Sequence, residues 1–304
     1  MKIVEIFRWQ KILITVLTAW IMIFLFNTSI LANEQSVKIY KNDQQTAING
    51  YTVVPMFAKN QEKNQTGYWH VKLSPQKDKL LRFKIMTGDR AGNFDLSLHN
   101  AFTNRNLAVD YGNQAKANRY GHLDVNFDKQ AIFLQNHRNQ MHLRVPANHT
   151  AEVIVKLKRL SKSVNGTAVG GLHVVDLHKA NTTDNMESQI AYSYAIVAKM
   201  GQPNKVPIKL RLTDVKQQKD RLLNYTIINQ NKKLLQHAKI SIKVYDKNMK
   251  LIQKSVVSKQ ATLTPHTKMH LVTTVKDNSR VAKKLQVIIQ IHDQKKVLDQ
   301  VINN

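Results

Sequence analysis

Polar side chains that could bind a sugar stand on both sides of a predicted group of strands. Asn60 and Gln61 precede these strands, and Thr103 and Asn104 follow them. Amide and hydroxyl groups both donate and accept hydrogen bonds, which suits the acetamido and hydroxyl groups of a glycan. Tyr68 adds an aromatic ring, whose flat apolar face can stack on a sugar. Together these residues predict a glycan-binding site.

The alternation of side chains decides which aromatic rings are available to such a ligand. Trp69 has the same parity as Val71 and Leu73, so it is expected in the core, and Tyr68 is then directed outward. Tyr111 follows the second polar group and joins the predicted site. The four polar residues have an alternative role, because short polar side chains also cap turns through local backbone hydrogen bonds. The sequence leaves both roles open.

Residues for catalysis are sparse. The chain has no cysteine, and it contains no nucleophile elbow, phosphate-binding loop, dinucleotide fingerprint or zinc-protease motif. His266 and His270 share a face, but a metal site usually needs three or four converging ligands. A glycosidase needs two facing carboxylates, for which the isolated acids offer only Asp89, Asp95, Asp110 and Asp124. We predict a protein without enzymatic activity or cofactor, with a secreted cell-wall-active hydrolase as the alternative.

The charge of the chain favours anionic partners. Its 304 residues include 46 Lys and Arg against 20 Asp and Glu, and the sequence pI is about 10.1. Such an excess attracts nucleic acid, anionic lipid or anionic wall polymers. The basic residues are spread through the predicted strands, which argues against a dedicated nucleic-acid module. A charge-driven polyanion binder is the second alternative function.

Alternation with a period of two dominates the chain after residue 33. Leu81, Phe83 and Ile85 lie on one face of a predicted strand, with Arg82 and Lys84 between them. Short strands of this kind at intervals of about 10 residues predict β-sandwiches. We expect an all-β protein of two immunoglobulin-like antiparallel sandwiches in tandem, at residues 33–160 and 161–304. The boundary can fall anywhere within 161–205, because both Asn165–Gly171 and Gly201–Asn204 could form a linker.

The first 32 residues predict export. Lys2, Arg8 and Lys11 precede an uncharged run that ends with small and polar residues before Ala32. A basic, apolar and small-residue order is typical of a secretory signal peptide. An uncleaved N-terminal anchor is the alternative, and both place the remaining chain outside the cytoplasm.

The stretch Val53–Gly112 resembles the first domain of the WxL-interacting proteins, which are surface proteins of Gram-positive bacteria. That family shows a Pro shortly before Asn-Gln, an aromatic residue and a strand, a Pro turn, and Ala-x-Thr-Asn before Asp-Tyr. The same order occurs here, from Asn60-Gln61 through Tyr68-Trp69 to Thr103-Asn104 and Asp110-Tyr111. The resemblance extends to Ser163–Val174, which is similar to the family's Gly-Gly hairpin, and more weakly to the second domain.

The resemblance implies binding partners for each domain. It implies that the first domain binds peptidoglycan, that WxL-domain surface proteins are partners, and that the second domain binds a host extracellular-matrix ligand. It also implies a C-terminal membrane helix, whereas this sequence ends in KKVLDQVINN. We therefore expect a protein at the cell surface or cell wall, held there through its N-terminal segment or by non-covalent contacts, or secreted.

Overall fold

The fold follows from a computed structural model of the chain. It describes residues 36–42, 50–57, 67–177, 190–202, 207–218, 221–276 and 281–302. Most of these residues form strands whose side chains alternate between buried and exposed, as in β4, where Leu81, Phe83 and Ile85 are buried. The predicted all-β fold of sandwiches is confirmed. The predicted signal or anchor segment, residues 1–32, lies outside the described residues.

Two sheets and a small hairpin form the first sandwich. Its strands are β1 (Lys38–Lys41), β2 (Tyr51–Met56), β3 (Trp69–Leu73), β4 (Lys79–Thr87), β5 (Gly92–Asn100), β6 (Phe102–Thr103), β7 (Val109–Asp110), β8 (Ala131–Phe133), β9 (Gln140–Val145), β10 (His149–Leu157), β11 (Gly166–Asp176) and β12 (Ala191–Met200). Sheet I has the order β1-β10-β4-β2, with β8 also paired to β10, and sheet II has the order β3-β12-β11-β5-β9. Strands β6 and β7 pair only with each other.

One strand pair departs from the antiparallel expectation. Strands β3 and β12 run parallel, with Trp69 opposite Ile196, whereas the other described pairs are antiparallel. A parallel pair needs a long connection between its strands. Here most of the first sandwich lies between β3 and β12 along the chain, and no local pattern could have indicated this pairing.

The second sandwich also consists of two sheets, and its strands are longer on average. They are β13 (Leu210–Gln217), β14 (Leu222–Asn229), β15 (Leu235–Tyr245), β16 (Leu251–Leu263), β17 (Thr267–Thr274), β18 (Lys284–Ile291) and β19 (Gln294–Val301). Sheet III has the order β13-β14-β17 and sheet IV the order β16-β15-β18-β19. Because β11 and β12 belong to sheet II, the first sandwich extends to Met200, which favours the later of the two linkers that the sequence offers.

Each sandwich has its own apolar core. Trp69 is 2% exposed and lies between sheets I and II, where its ring meets Phe83 and Tyr194 edge-on at centroid distances of 6.5 and 6.1 Å. Tyr225 and Ile240 belong to the second core. Helices are short: a 3-10 helix spans Asn113–Asn118, and α1 spans Phe127–Gln130. In the described part of the chain, no helix has the length and apolar character needed to cross a membrane.

The β6–β7 hairpin joins the two sandwiches. Leu107, in the loop between β6 and β7, is 5% exposed and belongs to the core of the second sandwich. Its carbonyl oxygen accepts a hydrogen bond from the Thr262 backbone amide at 3.3 Å. A second connection runs from the Thr167 amide to the Lys232 carbonyl oxygen at 2.6 Å. The Leu107 side chain, from the first sandwich, thus completes the core of the second.

Candidate functional site

The outer face of sheet II carries the side chains that point away from the core. Strands β11 and β12 pair so that Gly171 lies opposite Ala195, and His173 lies opposite Ser193. Their neighbours Leu172 and Ile196 are fully buried in the core. Because side chains alternate along a strand, these outer pairs form rows directed away from the core.

Tyr111 lies on this outer face, directly on Gly171. A Cβ atom at position 171 would stand 2.7 Å from Cδ1 of Tyr111, which is far inside a normal contact distance. The adjacent Gly170 faces the core, where a Cβ atom would stand 2.4 Å from Cγ of Phe127. Glycine is needed where a ring approaches the backbone this closely. The Gly170-Gly171 pair therefore lets one aromatic ring pack on each face of the sheet.

Tyr68 stands beside Tyr111 on the same face. The two half-buried rings pack around a small apolar cluster of Ala101, Val169 and Val197. Burial raises the pKa of Tyr111, and the neighbouring Tyr68 hydroxyl adds to this effect. The structure thus brings together the two aromatic residues of the predicted site. We call this pair, on the outer face of sheet II, the aromatic shelf.

Hydrogen-bonding groups that the sequence did not single out lie next to the shelf. His173 Nδ1 is 2.7 Å from the hydroxyl oxygen of the exposed Ser193. Burial lowers the pKa of His173, the charge of His99 lowers it further, and Asp110 opposes both. A neutral imidazole offers one donor and one acceptor, as a sugar hydroxyl does. The position of His173, two residues after Gly171, could have indicated that it lies on the same face of the strand. Its pairing with Ser193 could not be inferred from the local pattern.

Thr103 has a structural role at the contact between the two sandwiches. It is fully buried, and its backbone amide donates a hydrogen bond to the Thr264 hydroxyl at 2.8 Å. Its own hydroxyl donates to the Thr262 carbonyl oxygen at 2.7 Å. Thr103 therefore connects the two sandwiches in this structure, and it is separated from the aromatic shelf by its burial.

Asn104 caps the turn between β6 and β7. Its side-chain oxygen accepts hydrogen bonds from the backbone amides of Asn106 at 2.9 Å and Ala108 at 3.2 Å. This placement favours the turn role over the ligand role that the sequence left open. Asn60 and Gln61, the remaining residues of the predicted site, lie outside the described residues, so a contact between them and the shelf stays a prediction.

Three of the four acids considered for hydrolysis have partners in the structure. Asp95 pairs with His142, and Asp110 accepts a hydrogen bond from the Gly112 amide at 2.8 Å. Asp124 pairs with the Lys232 ammonium at 2.7 Å. These contacts are those of turn and surface residues. Across the described ranges, no group of three or more His, Cys, Asp or Glu residues could hold a metal ion.

A cleft of about 620 Å³ opens beside Tyr68, between the two sandwiches. We call it the inter-sandwich cleft. Its first wall comes from the end of sheet II and its second wall from the β14–β15 and β18–β19 connections. The residues that line it are Tyr68, His70, Thr167, Val197, Lys199, Ile208, Lys233, Leu234, Leu235, Gln236, His237, Ile291, His292, Asp293 and Gln294.

The fold and the aromatic shelf define an all-β sandwich protein with a surface suited to binding. Residues 51–176 match the family model described as WxL Interacting Protein, peptidoglycan binding domain. The match confirms the resemblance of this part of the chain to the WxL-interacting proteins, and the family that it names indicates a cell-wall or cell-surface location. The matched residues include Tyr68 and Tyr111. No curated protein sequence matches the chain.

Solved structures that are similar to the chain have low sequence identity. The class 5 fimbriae chaperone CfaA is 10% identical over 84% of this chain and 99% of its own, with a TM-score of 0.34. The CupB2 chaperone of Pseudomonas aeruginosa is 8% identical over 77% and 97%, with a TM-score of 0.29. A family 123 glycoside hydrolase from Clostridium perfringens is 13% identical over 50% and 27%, with a TM-score of 0.29.

Proposed function

We propose that this protein is a non-enzymatic cell-surface protein that binds the glycan of peptidoglycan on the aromatic shelf. One observation carries the proposal: Tyr68 and Tyr111 lie together on an outer sheet face within the matched domain. The rings supply stacking surface for a sugar, and the neutral His173 and Ser193 supply hydrogen bonds for its hydroxyl and acetamido groups.

Sedimentation with purified peptidoglycan tests the proposal. The full chain after residue 32 is the right material, because Leu107 of the first sandwich completes the core of the second. Replacing Tyr68 or Tyr111 by Ala should weaken binding about twofold to tenfold each, as expected for the loss of one aromatic contact. Tyr245→Ala removes a half-buried tyrosine from the second sandwich and serves as the matched control.

Two further readouts separate this mechanism from the alternatives. Stacking is insensitive to screening, so binding should change little between low and moderate salt, whereas a charge-driven polyanion binder would lose affinity steeply. Release of soluble sugar fragments during incubation would identify a hydrolase. Binding that Tyr68→Ala and Tyr111→Ala leave intact, in variants that melt like the parent protein, would move the glycan site away from the shelf.

For the second sandwich we propose a protein ligand, either a WxL-domain surface protein or a host extracellular-matrix protein. The support is the family resemblance together with exposed apolar residues on the edge strands β16 and β19, namely Leu251, Val256, Val297 and Val301. Surface plasmon resonance against a purified WxL domain and against collagen would test the two partners separately. Val256→Lys and Val297→Lys should lower the response, and no response to either protein contradicts this part of the proposal.

We also propose that residues 1–32 direct export. The order of basic, apolar and small residues supports a signal peptide that is cleaved after Ala32. N-terminal sequencing of the native protein should begin at Asn33. An intact N-terminus in a membrane fraction would instead identify an uncleaved anchor, and recovery from the cytoplasm would contradict export.

A further inference from the structure

Four polar side chains lie in register across the outer face of sheet II, beside the aromatic shelf. His173 of β11 lies opposite Ser193 of β12 on one side and Ser97 of β5 on the other. Ser97 in turn lies opposite Gln140 of β9. We call these four residues the polar row. Their neighbours along the strands, such as Leu96, are buried, so the four side chains point away from the core.

The polar row runs alongside the part of the sheet that carries Tyr111. Gly171, on which the Tyr111 ring rests, stands two residues before His173 on the same face of β11. Neighbours on one face of a strand are about 7 Å apart. A ligand that stacks on the Tyr111 ring therefore has a line of hydroxyl, imidazole and amide groups along one side.

The polar row carries no full charge at neutral pH. Burial lowers the pKa of His173, so its imidazole is neutral there, and the hydroxyl and amide groups of the other three members do not ionise. In the next row of this face, the Asp95 carboxylate pairs with the adjacent His142. In a chain with 46 Lys and Arg, such an uncharged row favours a neutral ligand over an anionic polymer.

The length of the polar row fits several sugars. From β12 through β11 and β5 to β9 it crosses three intervals of about 4.8 Å between strands, which gives about 14 Å. One interval is close to the length that one sugar adds to a β-1,4-linked chain. Ser193 and Gln140 are exposed, and His173 and Ser97 are half-buried, so a ligand can reach every member of the row.

A cleft opens at the β9 end of the polar row. Its volume is about 410 Å³, and Gln140 is part of its lining, as are Asn136 and Asn139. Volumes in this range are typical of sites for small ligands. Because β9 is an edge strand of sheet II, a chain that follows the row enters this cleft without crossing another strand of the sheet.

We infer that the polar row extends the aromatic shelf into an elongated site for about three consecutive sugars of a β-1,4-linked N-acetylhexosamine chain. One sugar stacks on Tyr111 and contacts Ser193 and His173, and the following sugars lie over Ser97 and Gln140. These side chains both donate hydrogen bonds to and accept them from sugar hydroxyl and acetamido groups. The inference rests on the proposed glycan binding, and it adds the length and the direction of the bound chain.

Isothermal titration of the chain after residue 32 with chitin oligosaccharides tests the inference. These probes have the acetamido groups and the linkage of such a glycan, and they carry no peptide. We expect the affinity to rise with the number of sugars and to level off at about four. The tetramer should bind about tenfold more tightly than the dimer, as expected when two further side chains form hydrogen bonds.

Variants of the polar row separate it from the shelf. Gln140→Ala and Ser97→Ala should each weaken tetramer binding about threefold to tenfold, and the loss should become smaller as the oligosaccharide is shortened. Tyr111→Ala should instead weaken binding at every length. The controls are Gln290→Ala, at an exposed position of β18, and Ser241→Ala, at a half-buried position of β15. They remove the same types of side chain from the second sandwich.

Three results would overturn the inference. The first is that the tetramer does not bind, or binds no more tightly than the dimer. The second is tetramer binding that Gln140→Ala and Ser97→Ala reduce no more than their controls, in variants that melt like the parent protein. The third is binding of muropeptides that disappears when an amidase removes their stem peptides, because the ligand would then be the peptide.

Failure of this inference is distinguishable from failure of the proposed function. Sedimentation with peptidoglycan reports on the shelf through Tyr111→Ala, whichever length of glycan is bound. A loss of sedimentation in that variant, together with either of the first two results, would retain the shelf and remove only the extension along the polar row.

Discussion

The ring of Tyr111 rests on Gly171, so closely that a Cβ atom at position 171 would stand 2.7 Å from the ring carbon Cδ1. Tyr111 follows β7, and Gly171 lies in the middle of β11. The contact therefore holds the segment after the β6–β7 hairpin against the outer face of sheet II. It also fixes one of the two rings on which the proposed glycan site depends.

Replacing Gly171 by Ala should displace Tyr111 from the sheet. The added methyl group cannot be accommodated without movement, and such overpacking costs about 1–3 kcal/mol of unfolding free energy. Peptidoglycan binding should fall together with stability. Gly67→Ala is the control, since a Cβ atom at Gly67 meets no atom within 4 Å. Chemical denaturation followed by tryptophan fluorescence measures the unfolding free energy of each variant. Unchanged stability in Gly171→Ala would contradict the close contact.

Leu107→Ala should destabilise the second sandwich, although Leu107 belongs to the β6–β7 hairpin of the first. Its side chain is 5% exposed within the second core, and a buried Leu→Ala substitution costs about 2–5 kcal/mol. Hydrogen exchange should then show faster exchange in β14 and β15 than in β4 and β10. Leu80→Ala, at an exposed position of β4, should change little. Equal effects of the two substitutions would argue against insertion of Leu107.

Thr103→Val should weaken the connection between the sandwiches without changing the volume of the side chain. It removes the hydroxyl that donates to the Thr262 carbonyl oxygen and accepts from the Thr264 amide, at 2.7 and 2.8 Å. Leaving such buried groups without partners costs about 1–3 kcal/mol. Thr274→Val, on an exposed position of β17, provides the comparison in the same denaturation experiment. A neutral result at position 103 would indicate that this contact contributes no net stability.

Stability should decrease as the pH falls through the histidine range, and His266 should contribute to this. Burial lowers the pKa of His266; Asp124 opposes the shift, while Lys232, His122 and Arg119 support it. The unfolded chain therefore takes up a proton at higher pH than the folded protein, so folding is less favourable below about pH 6.5.

His266→Asn should flatten that pH dependence. The backbone φ of 51° at His266 is compatible with Asn, and the midpoint of urea unfolding at about pH 7.5 and 5.5 gives the measurement. Part of the slope should remain, because the pKa of His173 is lowered as well. A steeper slope in His266→Asn would mean that the assigned direction is wrong.

The alternation of side chains was sufficient to predict the strands and the role of Trp69. Period-two patterns depend only on neighbours along the chain, so Leu81, Phe83 and Ile85 could be assigned to one buried face without any tertiary information. The same pattern directed Tyr68 outward, where the structure places it. The parallel pairing of β3 with β12 was beyond such reasoning, because it depends on contacts between distant segments.

The polar residues of the predicted site show most clearly what a local sequence pattern cannot predict. Asn104 follows the local rule, since it caps its own turn. Thr103 has the same polar character in the sequence, but its partners Thr262 and Thr264 lie in the other sandwich. Its burial could be recognised only from the docking of the β6–β7 hairpin.

The sequence by itself determined the strand pattern, the excess of positive charge and the resemblance of the first domain to the WxL-interacting proteins, because each depends on residue type and local spacing. Tertiary structure decided which outward residues act together. Tyr68 and Tyr111 pack on one apolar cluster only because β3, β11 and β12 are neighbours in sheet II, and Thr103 meets Thr264 across 161 positions of chain. Contacts over such distances depend on sheet order and docking, and a local pattern of apolar and polar residues carries no information about either.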